Sequence, residues 1–155
     1  MAPERPDPPF LLDVMCGKLA TYLRFCGYDA AYALDRGVEA DDRLLALARD
    51  EGRTLLTRDR ELADRAGERG VLLTDRGVEG QLRELADAGL PLAVAAEPAH
   101  CGACNGPVEA VAPGAEVPEY APAPDETEAW RCRSCGQYFW KGSHWDRVEE
   151  TLAGL

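Results

Sequence analysis

The chain has 155 residues, of which 46% are hydrophobic and 29% charged, proportions typical of a globular protein with room for one domain and an appendage. The formal charge of -11 argues against a broad basic surface that holds nucleic acid. No segment approaches the roughly 18 apolar residues of a membrane span, and the proline-rich first nine residues lack the apolar run of a secretory signal. We therefore expect a cytoplasmic protein without membrane contact, whose six cysteines stay reduced and favour metal over disulfides.

Residues 10–97 alternate short apolar runs with amphipathic segments, a pattern typical of α/β folds. Connections of this kind suit a parallel sheet flanked by helices. Residues 1–9 are expected to form a disordered tail before this domain. The predicted strands cover residues 10–12, 28–34, 53–57, 71–73 and 90–95, and the predicted helices cover about 17–26, 41–51, 59–66 and 78–88.

Aspartates follow the predicted strands or begin the helices after them. Because the carboxyl ends of parallel strands meet at one edge of a sheet, these side chains are expected to converge there. Clustered carboxylates repel one another unless a divalent cation neutralises them, and a bound magnesium or manganese ion can activate water against a phosphodiester. The candidate catalytic residues are Asp13, Asp41, Asp42, Asp59 and Asp75.

Local roles compete with catalysis at several of these positions. Asp41, Asp42 or Asp59 can cap a helix, and Asp75 can belong to an ordinary turn before Gly77. Three basic residues near the same edge are candidates for binding substrate phosphates, although solvated surface charge is the competing explanation for each. They are Lys18, Arg24 and Arg58.

Two CxxC turns predict a metal site. A CxxC turn presents two sulfurs from one tight loop, and zinc prefers four tetrahedral thiolate or imidazole ligands. Four thiolates complete a closed, structural zinc site, so His100 and His144 are not needed as ligands, and catalysis should lie elsewhere. The predicted zinc ligands are Cys101, Cys104, Cys132 and Cys135.

The sequence from residue 98 to 155 predicts a separate module, a zinc ribbon too poor in apolar residues to fold without a metal. Residues 113–128, rich in Pro, Ala and Glu, are expected to form a flexible insertion in it. Trp140 and nearby cations suit single-stranded nucleic acid, but a ribbon that only covers the first domain is an equal alternative. The cations are Arg131, Arg133 and Lys141.

Five segments occur in this order along the chain: FLLDVMCGKLATYLRFCGYD, DDRLLALARDEGRTLLTRDREL, GQLREL, HCGACN and CRSCGQYFWKGSHW. Together they resemble the Mut-seven C-terminal RNase domain family. The resemblance implies a PIN-like nuclease fold over residues 10–97 followed by the zinc ribbon, and a metal-dependent ribonuclease. It also implies that Asp13, an acid at Asp41 or Asp42, and Asp59 bind the catalytic metal, with Asp75 as a further candidate.

Three functions are compatible with these patterns. The first is a magnesium- or manganese-dependent RNase acting on RNA, with single-stranded RNA as the expected substrate. The second is a non-catalytic adaptor that binds nucleic acid or protein through the ribbon. The third is a phosphoacceptor domain with Asp59 as acceptor, which is disfavoured because Val14 rather than an acid follows Asp13 and no lysine ends the fifth predicted strand.

Overall fold

The computed structural model describes residues 6–155. Its first part is a four-stranded parallel sheet in the order β2-β1-β3-β4, with helices in the crossover connections. The strands are β1 (Phe10–Leu12), β2 (Ala30–Tyr32), β3 (Thr54–Thr57) and β4 (Gly70–Leu72). The helices are α1 (Gly17–Phe25), α2 (Asp41–Glu51), α3 (Arg60–Ala66) and α4 (Val78–Asp87). The predicted mixed α/β class and parallel sheet are confirmed.

Each face of the sheet buries its own hydrophobic core. Successive side chains of a strand point to opposite faces, and in β1 Phe10 and Leu12 belong to one cluster, whereas Leu11 belongs to the other. The Phe10 cluster includes side chains of α1 and α4, and the Leu11 cluster includes side chains of α2 and α3. The central strand β1 is therefore covered on both sides, as expected of a parallel sheet.

The fifth predicted strand does not form. Residues 90–95 run as irregular chain, although Leu90, Leu92 and Val94 pack against the Phe10 cluster. The backbone N–H of Ala95 donates to the carbonyl of Phe25, and the Tyr28 hydroxyl donates to the carbonyl of Pro91. The apolar residues of this segment thus cover the end of α1 instead of extending the sheet.

The second part is a three-stranded antiparallel sheet followed by a helix. The strands are β5 (Val108–Ala110), β6 (Ala129–Cys132) and β7 (Tyr138–Trp140), in the order β5-β6-β7, and the helix is α5 (Ser143–Ala153). Helix α5 was not predicted. Its Val148 and Leu152 are buried in the Phe10 cluster of the first part, so α5 packs on the α/β core and not only on the ribbon.

The N-terminal segment contacts the first residue of the inner strand β3. Residues 1–5 of the predicted tail lie outside the described residues. Within residues 6–9, the carbonyl of Asp7 accepts from the Thr54 hydroxyl, and the carbonyl of Pro9 accepts from the Thr54 backbone N–H. None of the helices formed by residues 6–155 combines the length and apolar character needed to cross a membrane.

Candidate active edge and zinc centre

Thr57, at the end of β3, joins two of the predicted catalytic aspartates. Its hydroxyl donates to Asp13 Oδ2 at 2.6 Å and accepts from the backbone N–H of Asp59 at 3.0 Å. Asp13 Oδ1 accepts from the backbone N–H of Val14 at 2.8 Å, and Asp59 Oδ1 caps α3 by accepting from Leu62 N–H at 3.2 Å. We refer to Asp13, Thr57 and Asp59 as the active edge.

Burial distinguishes Asp13 from the other candidates. Its relative exposure is 4%, and a carboxylate rarely occupies such a position unless hydrogen bonds or an ion compensate for lost solvation. Two donors reach it, one for each oxygen, which leaves lone pairs on both oxygens. Asp13 can therefore bind a cation without losing the hydrogen bonds that position it.

A cleft of about 390 Å³ begins at Val14, the residue after Asp13. It is lined by residues 14–19 at the start of α1, Tyr32 at the end of β2, and Arg76, Val78 and Gln81 around the start of α4. Gly17 permits the close approach of α1 to Tyr32, because a Cβ at Gly17 would lie 3.0 Å from the tyrosine ring. The cleft thus lies at the carboxyl ends of the strands, where ligands of parallel sheets bind.

Asp35 lies near Tyr32 of this cleft and was not predicted as a site residue. It is exposed in the turn Leu34–Arg36 after β2. Burial raises the pKa of the Tyr32 hydroxyl, and the negative charges of Asp35 and Asp13 raise it further. Asp35 and Asp13 therefore act on one side chain. The signal in the sequence was its position directly after the second predicted strand.

Asp42 and Asp75 make hydrogen bonds away from the active edge. Asp42, in the first turn of α2, pairs with Arg65 in the last turn of α3, the end of that helix opposite to Asp59. Asp75 Oδ1 accepts from the Gly77 N–H within its own turn. Asp41 starts α2 beside Asp42.

Within residues 6–155, no three of the predicted aspartates lie close enough together to share one ion. Among residues 6–155, the only group of three or more Asp, Glu, His or Cys side chains close enough to share an ion is the set of four cysteines. A magnesium site built from one or two carboxylates, water and substrate oxygens remains compatible with Asp13.

The three predicted phosphate-binding residues have different environments. Lys18 is exposed and lines the cleft. Arg58 is half-buried, and its positive charge acts on Cys16 at the cleft, while its Nε is buried without a hydrogen-bond partner. Arg24 differs from both, because it is only 3% exposed and donates to the carbonyls of Ala30 and Gly102. Its guanidinium contacts the ribbon and not the cleft.

Neither cysteine of the first part is a reactive thiolate. Burial raises the pKa of Cys16 to about 11, and the negative charge of Asp13 contributes. Burial likewise raises the pKa of Cys26 to about 12. Both thiols are neutral at physiological pH and pack in or against the Phe10 cluster.

The four predicted zinc ligands converge. The Sγ atoms of Cys101, Cys104, Cys132 and Cys135 all lie within 4.8 Å of one another. The Sγ atoms of Cys101 and Cys135 are 3.7 Å apart, and those of Cys104 and Cys132 are 3.5 Å apart. Tetrahedral zinc with Zn–S bonds of 2.3 Å requires sulfurs about 3.8 Å apart. The cluster therefore fits a zinc ion.

Backbone amides support the sulfurs. We call residues 101–106 the first knuckle and residues 132–136 the second knuckle. Burial opposes ionisation of Cys132, but N–H donors from Cys135 and Ser134, with the neighbouring thiols of Cys104 and Cys135, lower its pKa to about 7. Gly106 N–H donates to Cys104 Sγ at 3.4 Å. Such N–H···S bonds stabilise thiolates, the form that binds metal.

The two histidines stand outside this cluster. His100 Nδ1 lies 3.3 Å from the carbonyl of Asn105, and the His144 ring makes an edge contact with Phe25. Neither belongs to the group of metal-ligating side chains.

The first knuckle docks on the edge strand β2. Asn105 Oδ1 accepts from Ala30 N–H at 2.9 Å, and its Nδ2 donates to Asp29 Oδ1 at 2.7 Å. Arg53 Nη1 donates to the same Asp29 oxygen at 2.7 Å and to the carbonyl of Phe10 at 3.0 Å. These contacts join the zinc centre to the first residues of β1 and β2.

Aromatic side chains join the ribbon to α5. Trp130 of β6 stacks on Trp145 of α5 with ring centroids 5.8 Å apart, and Lys141 Nζ lies within 5.7 Å of both ring centroids. Tyr120, from the predicted insertion, contacts the rings of Tyr138 and Trp140. The ribbon cations are engaged in ion pairs, Lys141 with Glu128, and Arg131 and Arg133 with Glu109.

A second cavity, the aromatic cleft, lies between the ribbon and α1. It has a volume of about 240 Å³. Its polar lining includes the exposed side chains of Gln137 and Ser143. The rings that line it are Phe25, Tyr138, Phe139, Trp140, His144 and Trp145.

The fold and the cysteine cluster define a parallel α/β domain joined to a four-cysteine ribbon. The sequence matches the family described as Mut7-C RNAse domain over residues 8–152, and the chain belongs to this family. This confirms the resemblance and indicates a nuclease-type function with a nucleic-acid substrate. No curated protein and no solved structure matched the chain.

Proposed function

We propose that this protein is a metal-dependent ribonuclease that hydrolyses single-stranded RNA at the active edge. The observation that carries the proposal is the buried Asp13 carboxylate, held by Thr57 and by Val14, the first residue of a cleft at the carboxyl ends of the strands. The family match supports the nuclease class. We place the activity in the cytoplasm, where reducing conditions keep the cysteine ligands as thiols.

Asp13 would hold magnesium or manganese, with Asp59 or Asp35 as a second carboxylate. Such an ion lowers the pKa of a bound water and shields the charge of the phosphodiester. Thr57 fixes Asp13 in one orientation by its hydroxyl donor. Lys18 and Arg76 line the cleft with exposed cationic groups, which suit contacts to RNA phosphates.

The aromatic cleft supports a preference for single strands. Unpaired bases can stack on aromatic rings, and such stacking contributes about 1–3 kcal/mol per base. Phe25, the last residue of α1, lines the aromatic cleft. Residues 17–19, at the other end of α1, line the cleft that begins at Val14. An RNA strand that follows α1 would reach both sites.

The decisive experiment compares Asp13→Asn with Asp146→Asn on a labelled single-stranded RNA in manganese. Asp146 is an exposed acid on α5, so its variant is the matched control. We expect Asp13→Asn to lower the cleavage rate by about 100-fold or more and the control to keep the rate. A wild-type rate that does not change when manganese is chelated would disprove the metal dependence.

A non-catalytic RNA-binding adaptor is the second candidate, because no three carboxylates share an ion site within residues 6–155. Trp140→Ala distinguishes the two functions. For an adaptor, this variant weakens RNA binding while Asp13→Asn has no effect and no cleavage is seen. For an enzyme, Asp13→Asn abolishes cleavage but leaves RNA binding, measured by fluorescence anisotropy, largely intact.

A further inference from the structure

Arg24 is a buried cation without a carboxylate partner. Nε donates to the carbonyl of Ala30 at 2.9 Å, Nη1 donates to the carbonyl of Gly102 at 3.0 Å, and Nη2 is buried without a hydrogen-bond partner. Among the ion pairs formed within residues 6–155, none includes Arg24. Burying a charge is costly unless an opposite charge compensates for it.

The neighbouring carboxylates do not fill this role by contact. Asp29 is the nearer in sequence, but its Oδ1 is held by Arg53 and Asn105. Asp35 is exposed in the turn after β2 and makes no ion pair with Arg24. The negative charges of Asp35 and Asp29 therefore act on the guanidinium only from a distance, and a negative centre behind the Gly102 carbonyl would compensate it further.

We propose that Arg24 is the counter-charge of the zinc centre. Four cysteine thiolates and one Zn²⁺ carry a net charge of −2. The Gly102 carbonyl that accepts from Arg24 belongs to a residue between the ligands Cys101 and Cys104 in the sequence. Groups around the ligands of a metal site orient the ligands and tune affinity. Arg24 lies in α1, and the first residues of the same helix line the cleft that begins at Val14. Arg24 therefore links the zinc centre to the helix that lines this cleft.

The link has a structural consequence. Thr21 of α1 also donates to the carbonyl of Gly102, at 3.4 Å, and Asn105 of the first knuckle accepts from Ala30 N–H. Loss of the ion releases the first knuckle and leaves Arg24 buried without its counter-charge. The last turns of α1 and the start of β2 then lose stability together with the knuckle.

Zinc affinity of the purified full chain tests this proposal. Arg24→Gln, Arg24→Lys and the exposed control Arg49→Gln are titrated with a chromophoric zinc chelator, and folding is checked by circular dichroism. We expect the affinity of Arg24→Gln to fall about 10- to 100-fold, that of Arg24→Lys to fall less because the charge remains, and the control to match wild type. Folded Arg24→Gln with wild-type affinity overturns the proposal, as does an equal loss in both Arg24 variants.

Hydrogen exchange on the wild-type chain keeps the proposal testable if Arg24→Gln does not fold. Zinc removal by a chelator is expected to speed amide exchange in the last turns of α1, residues 20–25, as well as in the two knuckles. Faster exchange confined to residues 101–106 and 132–136, with α1 unchanged, would show that the zinc centre and α1 are not coupled. Neither readout depends on ribonuclease activity.

Discussion

Thr57 organises the active edge because its single hydroxyl serves two groups. It donates to Asp13 and accepts from the backbone of Asp59, and it is fully buried. The two aspartates were predicted as site residues because they follow strands, whereas Thr57 was not predicted. Nothing in the sequence distinguishes a strand threonine whose hydroxyl joins two aspartates from one that is simply buried.

Thr57→Val should therefore destabilise the fold. The variant keeps the shape but removes one donor to a buried carboxylate and one acceptor for a backbone N–H, and we expect a loss of about 1–3 kcal/mol in the free energy of unfolding. Urea denaturation measures it. Thr57→Ser retains the hydroxyl and is the control, and equal losses in the two variants would contradict a role for the hydrogen bonds.

The lowered pKa of Asp29 predicts that the stability of the fold depends on pH. Burial opposes its ionisation, but hydrogen bonds from Arg53 and Asn105 lower its pKa below the ordinary value of 3.8. A carboxyl whose folded-state pKa is lowered stabilises the fold above the unfolded-state pKa, and this contribution is lost as the pH falls through the folded-state value.

The test compares urea midpoints between pH 6 and pH 3. We expect the wild type to lose more stability than Asp29→Asn as the pH falls below about 4, because the variant has no carboxylate to protonate. The exposed Asp64→Asn should follow the wild type. Urea midpoints that fall in parallel for wild type and Asp29→Asn would show that ionisation of Asp29 does not stabilise the fold.

At the scale of elements, the sequence predicted the strands and helices of the sheet because each apolar run is followed by a turn residue. The prediction failed where contacts with distant parts of the chain determine the local structure. Residues 90–95 have a strand pattern, but they cover α1 instead of pairing with β4. Helix α5 was missed because it follows the second knuckle in the segment assigned to the ribbon, although Trp145, Val148 and Leu152 recur at helical spacing.

Helix α5 should contribute substantially to stability. Leu152 is buried in the Phe10 cluster, so Leu152→Ala should cost about 2–5 kcal/mol. Glu150 is exposed on the same helix, and Glu150→Ala should change stability by no more than about 0.5 kcal/mol. Thermal and urea unfolding measure both variants. A loss below 1 kcal/mol for Leu152→Ala would argue that α5 is only loosely attached.

At the scale of the whole molecule, contacts join the residues before the predicted domain boundary at residue 97 to the residues after it. The first knuckle binds β2, and α5 returns to the α/β core. The sequence could place the cysteines at one metal site because CxxC turns are local. It could not place the knuckle against Asp29, because that contact joins residues 76 positions apart.

Zinc removal should consequently destabilise the whole chain and not the ribbon alone. We expect one cooperative thermal transition with and without zinc, with the midpoint lower by roughly 10 °C or more after chelation, since about 4 kcal/mol of lost binding shifts a protein of this size by this amount. Calorimetry with circular dichroism measures it. Two separate transitions, with the first part unaffected by the chelator, would contradict the prediction.

The return of α5 to the Phe10 cluster also constrains the order of events during synthesis. The core that holds Phe10 and Leu19 is complete only when Val148 and Leu152 are available. A ribosome must therefore add more than one hundred residues after β1 before this core can close. Until then, the part of the Phe10 cluster that Val148 and Leu152 cover stays exposed to solvent and to chaperones, since domains fold as units and expose hydrophobic surface before completion.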